Sequence, residues 1–96
     1  PTFRSRVFIP VPGQSPEPVE FTFKGRTRDQ FADFIESIKD GEAKDVEVIM
    51  DIASGWELDD AFDAKNIELL TQNYLGAARA IIDKYLAELT TARLGN

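Results

Sequence analysis

Hydrophobic and polar residues alternate at the start of the chain. From Phe3 to Val11, FRSRVFIPV places Phe3, Ser5, Val7, Ile9 and Val11 on one side and Arg4, Arg6 and Phe8 on the other. That two-residue period belongs to a strand with one mostly buried face. Pro10 has no amide hydrogen to give a ladder, so the end of this strand is expected at a sheet edge or just leaving it. PGQSPEP, from Pro12 to Pro18, is punctuated by three prolines and a glycine and reads as a hairpin loop longer than the tight two-residue kind. Alternation resumes from Val19 to Lys24, with Val19, Phe21 and Phe23 facing one way and Glu20, Thr22 and Lys24 the other. Two such strands predict an antiparallel β-hairpin. A hairpin alone is marginal in water, so its apolar face must lie on helices or on another copy.

The period then lengthens to that of helices. Thr27-Arg28-Asp29-Gln30 has the form of a capping box, and Phe31, Phe34, Ile35 and Ile38 supply the buried stripe of a first helix that Asp40-Gly41 stops. Asp45 to Ala53 predicts a second, shorter helix with Val46, Ile49, Met50 and Ala53 on one face, closed by Ser54 and a left-handed Gly55. Trp56 to Phe62, WELDDAF, reads as an acidic connection carrying three large apolar side chains. Asp63 is placed to cap a third helix, with Phe62 and Ile67 as a hydrophobic staple and Ile67, Leu70 and Tyr74 down its buried side. Gly76 weakens helical continuity, so the pattern fits either two helices separated by a turn near Leu75-Gly76 or a single bent helix, with the turn preferred. Beyond it comes the strongest pattern in the chain. Ala77, Ala78, Ile81, Ile82, Tyr85, Leu86 and Leu89 gather on one broad face, opposite Arg79 with Asp83 and Lys84 with Glu88 as (i, i+4) ion pairs. The expected fold is α+β: a hairpin over residues 3–24 and about four helices over 28–92, in one small domain over 1–96 whose residues 93–96 form a frayed tail.

Composition narrows the chemistry. At 96 residues, 43% apolar and 29% charged, the chain falls in the globular range despite a net charge of −6. It has no cysteine and no histidine, which removes disulfides, thiol nucleophiles and the commonest general base and transition-metal ligands. The lack of cysteine agrees with a reducing cytosol. No apolar run approaches the roughly 18 to 20 residues of a membrane span, and no leader pattern opens the chain, so a protein in the cytoplasm is expected. Residues 1–28 hold five bases against two acids, and residues 29–96 hold 15 acids against 6 bases. An acidic body repels nucleic acid, and a few bases interleaved with strands make a weak phosphate-binding surface. The same asymmetry suits head-to-tail association, so a homo-oligomer is a further expectation.

The densest carboxylates, Asp51, Glu57, Asp59, Asp60 and Asp63, lack the alternating spacing, the central glycine and the final glutamate of a calcium loop. No nucleophile stands beside a base, and neither a nucleophile-elbow nor a P-loop pattern occurs. No catalytic, cofactor-binding or metal-binding residue is assigned. What remains is apolar. Trp56, Leu58 and Phe62 sit in acidic surroundings as core plugs or partner-binding anchors, with Trp56 favouring the core. Phe8 falls between two arginines on the face opposite the other aromatic residues.

The order of motifs in the second half is more specific than any one of them. Ser54-Gly55-Trp56, an acidic turn and Phe62, then Asn66 and Leu69-Leu70, are followed by Tyr74, Gly76-Ala77-Ala78, Ala80-Ile81, Tyr85, Leu89, Ala92-Arg93 and Asn96. Together with FRSRVFIPVPG and VEFTFKGRTRDQF, this order resembles the tail assembly chaperones of long-tailed bacteriophages and prophages. Many relatives have Pro in place of Leu75 and Lys in place of Gly95. The resemblance implies a non-enzymatic factor of the host cytoplasm that binds the tape measure protein, keeps this long helical client soluble and helps recruit tail tube subunits. It also implies absence from the finished virion. An amphipathic client helix in an apolar groove is the natural binding mode, and that groove is expected to be edged by Trp56, Leu58, Phe62, Leu89 and Leu94. Two other classes fit the composition: a structural tail subunit, and an acidic mimic of nucleic acid. The basic N-terminal region opposes the mimic.

Overall fold

The computed structural model describes residues 1–91. In chain order the elements are β1 (Thr2–Ile9), β2 (Glu17–Lys24), α1 (Arg28–Ile38), α2 (Asp45–Ile52), β3 (Ala53–Trp56), α3 (Ala64–Asn73) and α4 (Ala77–Thr90). The fold is α+β, an antiparallel hairpin followed by four helices, as the pattern predicts. β1 and β2 pair in unbroken register from Thr2 with Lys24 to Ile9 with Glu17. Pro10 ends β1 two residues before the predicted end, and β2 begins two residues early. Between them Pro12 and Gly13, the latter at φ +77°, form a turn in which the Gln14 amide donates to the Val11 carbonyl at 3.0 Å. Proline followed by a positive-φ glycine is the type II arrangement.

A third strand corrects the sequence reading. Helix α2 stops at Ile52, and Ala53–Trp56 continue as β3, antiparallel to β2, with Phe21 opposite Trp56 and Phe23 opposite Ala53. Gly55 is therefore a ladder residue opposite Thr22, Ser54 is the extra residue where the register shifts between Thr22 and Phe23, and Gly55 is not left-handed; positive φ occurs at Gly13 and Gly41. The sheet order is β1-β2-β3. The contact face of α2 also differs. Val48, Ile49 and Ile52 are buried against α4, α3 and β3, whereas Met50 faces away from these partners and is exposed.

The helices cover one face of the sheet. Val7, Ile9, Val19, Phe21 and Phe23 point into the core, where they meet Ile49, Ile52, Ile67, Ala77, Ala78, Ile81 and Tyr85. Arg4, Arg6 and Phe8 lie on the other face and are exposed. Helix α4 runs antiparallel to β1. At its start Gly76 approaches Pro10 so closely that a Cβ there would lie 3.0 Å from the proline ring, and near its end the Ser5 hydroxyl donates to Glu88 at 3.0 Å. Both predicted ion pairs form on the outer face of α4, Arg79 to Asp83 and Lys84 to Glu88, each at 3.3 Å.

Helix α1 begins as predicted, with Gln30 N–H donating to the Thr27 hydroxyl and Thr27 N–H to the Gln30 side chain. Its one fully buried residue is Phe34; Phe31, expected in the core, is only half-buried. Arg26 fastens this region. Its guanidinium lies 4.6 Å from the Phe34 ring centre and bonds the Asp51 carboxylate at 2.9 Å, tying the strand exit to α1 and α2.

Candidate functional site

The connection from β3 to α3, Glu57 to Asp63, contains no helix or strand, and side-chain hydrogen bonds shape it. Trp56 donates its indole N–H to the Asp60 carbonyl at 2.7 Å, and Asn66 donates its side-chain amide to the Ala61 carbonyl at 2.8 Å. Asp63 accepts the Asn66 backbone N–H at 2.8 Å, the predicted cap of α3. The Trp56 ring meets Phe62 edge-on at 5.1 Å and Phe21 at 5.9 Å, so both Trp56 and Phe62 are half-buried against the core. Their burial turns Leu58 outward, where it is 38% exposed.

Leu58 joins two neighbouring clefts. One, of about 330 Å³, lies between the hairpin end and α3, with Ile9, Val11, Val19, Leu58, Leu70 and Tyr74 in its walls and Gln14 and Glu17 at its rim. The other, of about 240 Å³, continues along α3 past Leu69, Asn66 and Asn73 to Trp56 and Asp60. Leu58, Leu70 and Tyr74 belong to both, so the two form one groove. Within it Leu69 is 50% and Tyr74 37% exposed, so a partner can reach both. The charged residues lining it are Glu17 and Asp60, both acidic.

A family model for phage tail assembly chaperones matches residues 1–96. The chain belongs to this phage tail assembly chaperone family. Searches among curated proteins and among solved structures found no match. Membership implies protein partners in tail assembly, and a chaperone of this family needs surface that such partners can reach.

Of the residues expected at that surface, Trp56 and Leu58 line the groove, and Phe62 supports it from behind through the Trp56 ring. Leu89 is half-buried against the core thirteen residues beyond Gly76, about 20 Å along the helix at 1.5 Å per residue, and lines neither cleft. Leu94 lies outside the described residues. Tyr74, expected on the buried side of α3, instead follows the last helical residue and stands exposed at the groove. Sequence reasoning left out Leu69, Val11 and Val19. Leu69 had a legible signal: a large apolar residue out of phase with the Ile67 and Leu70 stripe has no core to enter.

The other chemistry is sparse. A larger cleft, about 430 Å³, lies between α2 and α3, and its walls are Lys44, Asp45, Val46, Glu47, Glu68, Thr71 and Gln72, a mixed charged surface with no large apolar side chain beyond Val46. Among the described residues no group of acidic side chains is placed to hold a metal ion, and no helix is long and apolar enough to cross a membrane.

Proposed function

We propose that this chain acts without catalysis, binding the tape measure protein in the groove between the hairpin end and α3, keeping it soluble and helping to bring tail tube subunits to it. The observation that carries this reading is the groove from Val11 to Trp56, whose lining includes three exposed large hydrophobic residues, Leu58, Leu69 and Tyr74. Apolar side chains that a partner can reach are what a helical client requires, and an i, i+3, i+4, i+7 stripe fits such a groove. The acidic rim and the net charge of −6 keep the chaperone itself soluble while that surface waits. The work belongs in the host cytoplasm, and the chain is absent from the finished tail. Trp56 and Leu58 contact the client, Phe62 positions Trp56, and Leu89 acts through the core.

Co-expression with the tape measure protein encoded nearby, followed by size-exclusion chromatography of the soluble fraction, tests this directly. The client is expected to become soluble and to co-elute with the chain. Leu58→Asp combined with Leu69→Asp should abolish co-elution while shifting stability by less than about 1 kcal/mol, because both side chains are exposed. A client that stays insoluble beside the unaltered chain, or a double variant that still carries it, overturns the reading. Recovery of the chain in purified tails would place it with structural subunits.

A further inference from the structure

The two sides of the sheet end differently. On one side β3 is only four residues long and its pairing with β2 is irregular between Thr22 and Phe23. Shortness and irregular pairing are two devices by which an edge avoids taking up another strand. On the other side β1 runs for eight residues in unbroken register, and among the described residues no strand pairs with its outer edge.

The hydrogen-bond parity of β1 shows what that edge offers. The Gly25 amide donates to the Pro1 carbonyl at 2.9 Å, which fixes the odd-numbered residues of β1 as those exchanging bonds with β2. Thr2, Arg4, Arg6 and Phe8 therefore turn their N–H and C=O groups outward. Their side chains also stand on the face that no helix covers among the described residues, and Phe8 is 54% exposed. The same four residues present both a backbone template and a readable set of side chains.

That set selects against a second copy. Two β1 strands paired antiparallel about a two-fold axis bring Arg4 opposite Arg6, or Arg6 opposite Arg6, in the registers that keep most of the strand paired. Like charges directly opposite are unfavourable, and opposite charges favourable. Arg6 makes no salt bridge among the described residues, although Glu20 stands opposite it on β2, and Arg4 meets Glu57 only at 3.6 Å with both side chains more than half exposed, so both guanidinium groups stay open to a further carboxylate. We propose that β1 takes up an extended segment of another protein, carrying Asp or Glu opposite Arg4 and Arg6 and an apolar residue opposite Phe8. This surface lies on the opposite face from the core that α3 and α4 cover, and it does not depend on the tape measure reading.

Amide exchange of ¹⁵N-labelled protein, residue by residue, tests it. The probe is a peptide as long as β1 that alternates Val with Glu, compared with its Val and Lys counterpart. The Arg4, Arg6 and Phe8 amides should exchange freely in the protein alone at every concentration. The Glu peptide should protect them, with the Lys peptide about tenfold weaker, given two cross-strand charge pairs. Arg4→Glu with Arg6→Glu should reverse that preference, and Leu58→Asp should leave it unchanged. No protection by the Glu peptide, or equal protection by both peptides, overturns the proposal. So does protection in the protein alone: growth with concentration would assign the edge to a second copy, and protection at all concentrations to the chain itself. Loss of peptide protection in Leu58→Asp would place the peptide in the groove and likewise overturn it.

Discussion

The Tyr85 hydroxyl donates to the Lys24 carbonyl at 2.8 Å, while its ring lies 5.3 Å from Phe23 and meets Phe34 edge-on at 5.9 Å. One side chain thus joins α4 to the end of β2 and to α1. Burial pushes its pKa above the ordinary value of 10.0; Arg26 nearby pulls it down and Asp51 pushes it up, with burial the largest of the three. A raised pKa in the fold means that the native protein holds the phenolic proton more tightly than the unfolded chain. Its contribution is then complete below about pH 10 and is lost as pH rises through the folded-state value. Urea unfolding midpoints should therefore fall with pH above about 10, and the fall should be shallower in Tyr85→Phe. At neutral pH that variant should cost about 1 kcal/mol, the net worth of one hydrogen bond. Parallel alkaline falls in both proteins would remove Tyr85 from this account.

Among the elements, α1 is held least. Phe34 is its one buried side chain, Ile35 and Ile38 are half-buried, and Arg26 stacks on Phe34 from the strand exit. Its capping box supplies a larger share of its stability than capping supplies to α4, whose Ala77, Ala78, Ile81 and Tyr85 are all buried. Thr27→Ala should cost about 1 kcal/mol and speed amide exchange in α1 about fivefold. In the unaltered protein α1 amides should exchange well before those of α4; equal protection of the two helices would contradict this. The start of α1 was legible because a capping box is local chemistry, as were the Asp63 cap and the break at Gly76. β3 was not. Ala53-Ser54-Gly55-Trp56 has two small polar or flexible residues and no clear alternation, and what makes it a strand is Phe21 and Phe23 of β2, 30 to 35 residues away. The groove divides along the same line. Trp56 and Leu58 stood out as large apolar residues in an acidic stretch, but Val11 and Val19 read as strand positions, and only the packing of α3 beside the hairpin end makes them walls.

For the whole molecule, the arrangement of the core decides how it unfolds. The buried residues form one cluster that runs from Val7 on β1 through Phe21 and Ile49 to Ile81 and Tyr85, with Trp56 and Phe62 packed against it. Phe21 touches Trp56 edge-on at one end of the sheet and stacks with Phe23, which meets Tyr85, at the other. Hairpin and helices thus have no separate cores to fall back on, and we expect one cooperative transition over all but α1. Ile81, fully buried on α4, is the place to test it. Ile81→Val removes one methylene at a cost of about 0.5 to 1.5 kcal/mol, small enough to leave a folded protein with the usual 5 to 15 kcal/mol of stability. Trp56 fluorescence reports the sheet and connection, and far-UV circular dichroism reports mainly the helices. If the cluster is one unit, both transitions move by the same amount, although Ile81 is on a different element from Trp56. If the helical signal shifts and the Trp56 signal does not, the β3 end carries stability of its own, and the groove would persist after the helical layer has loosened.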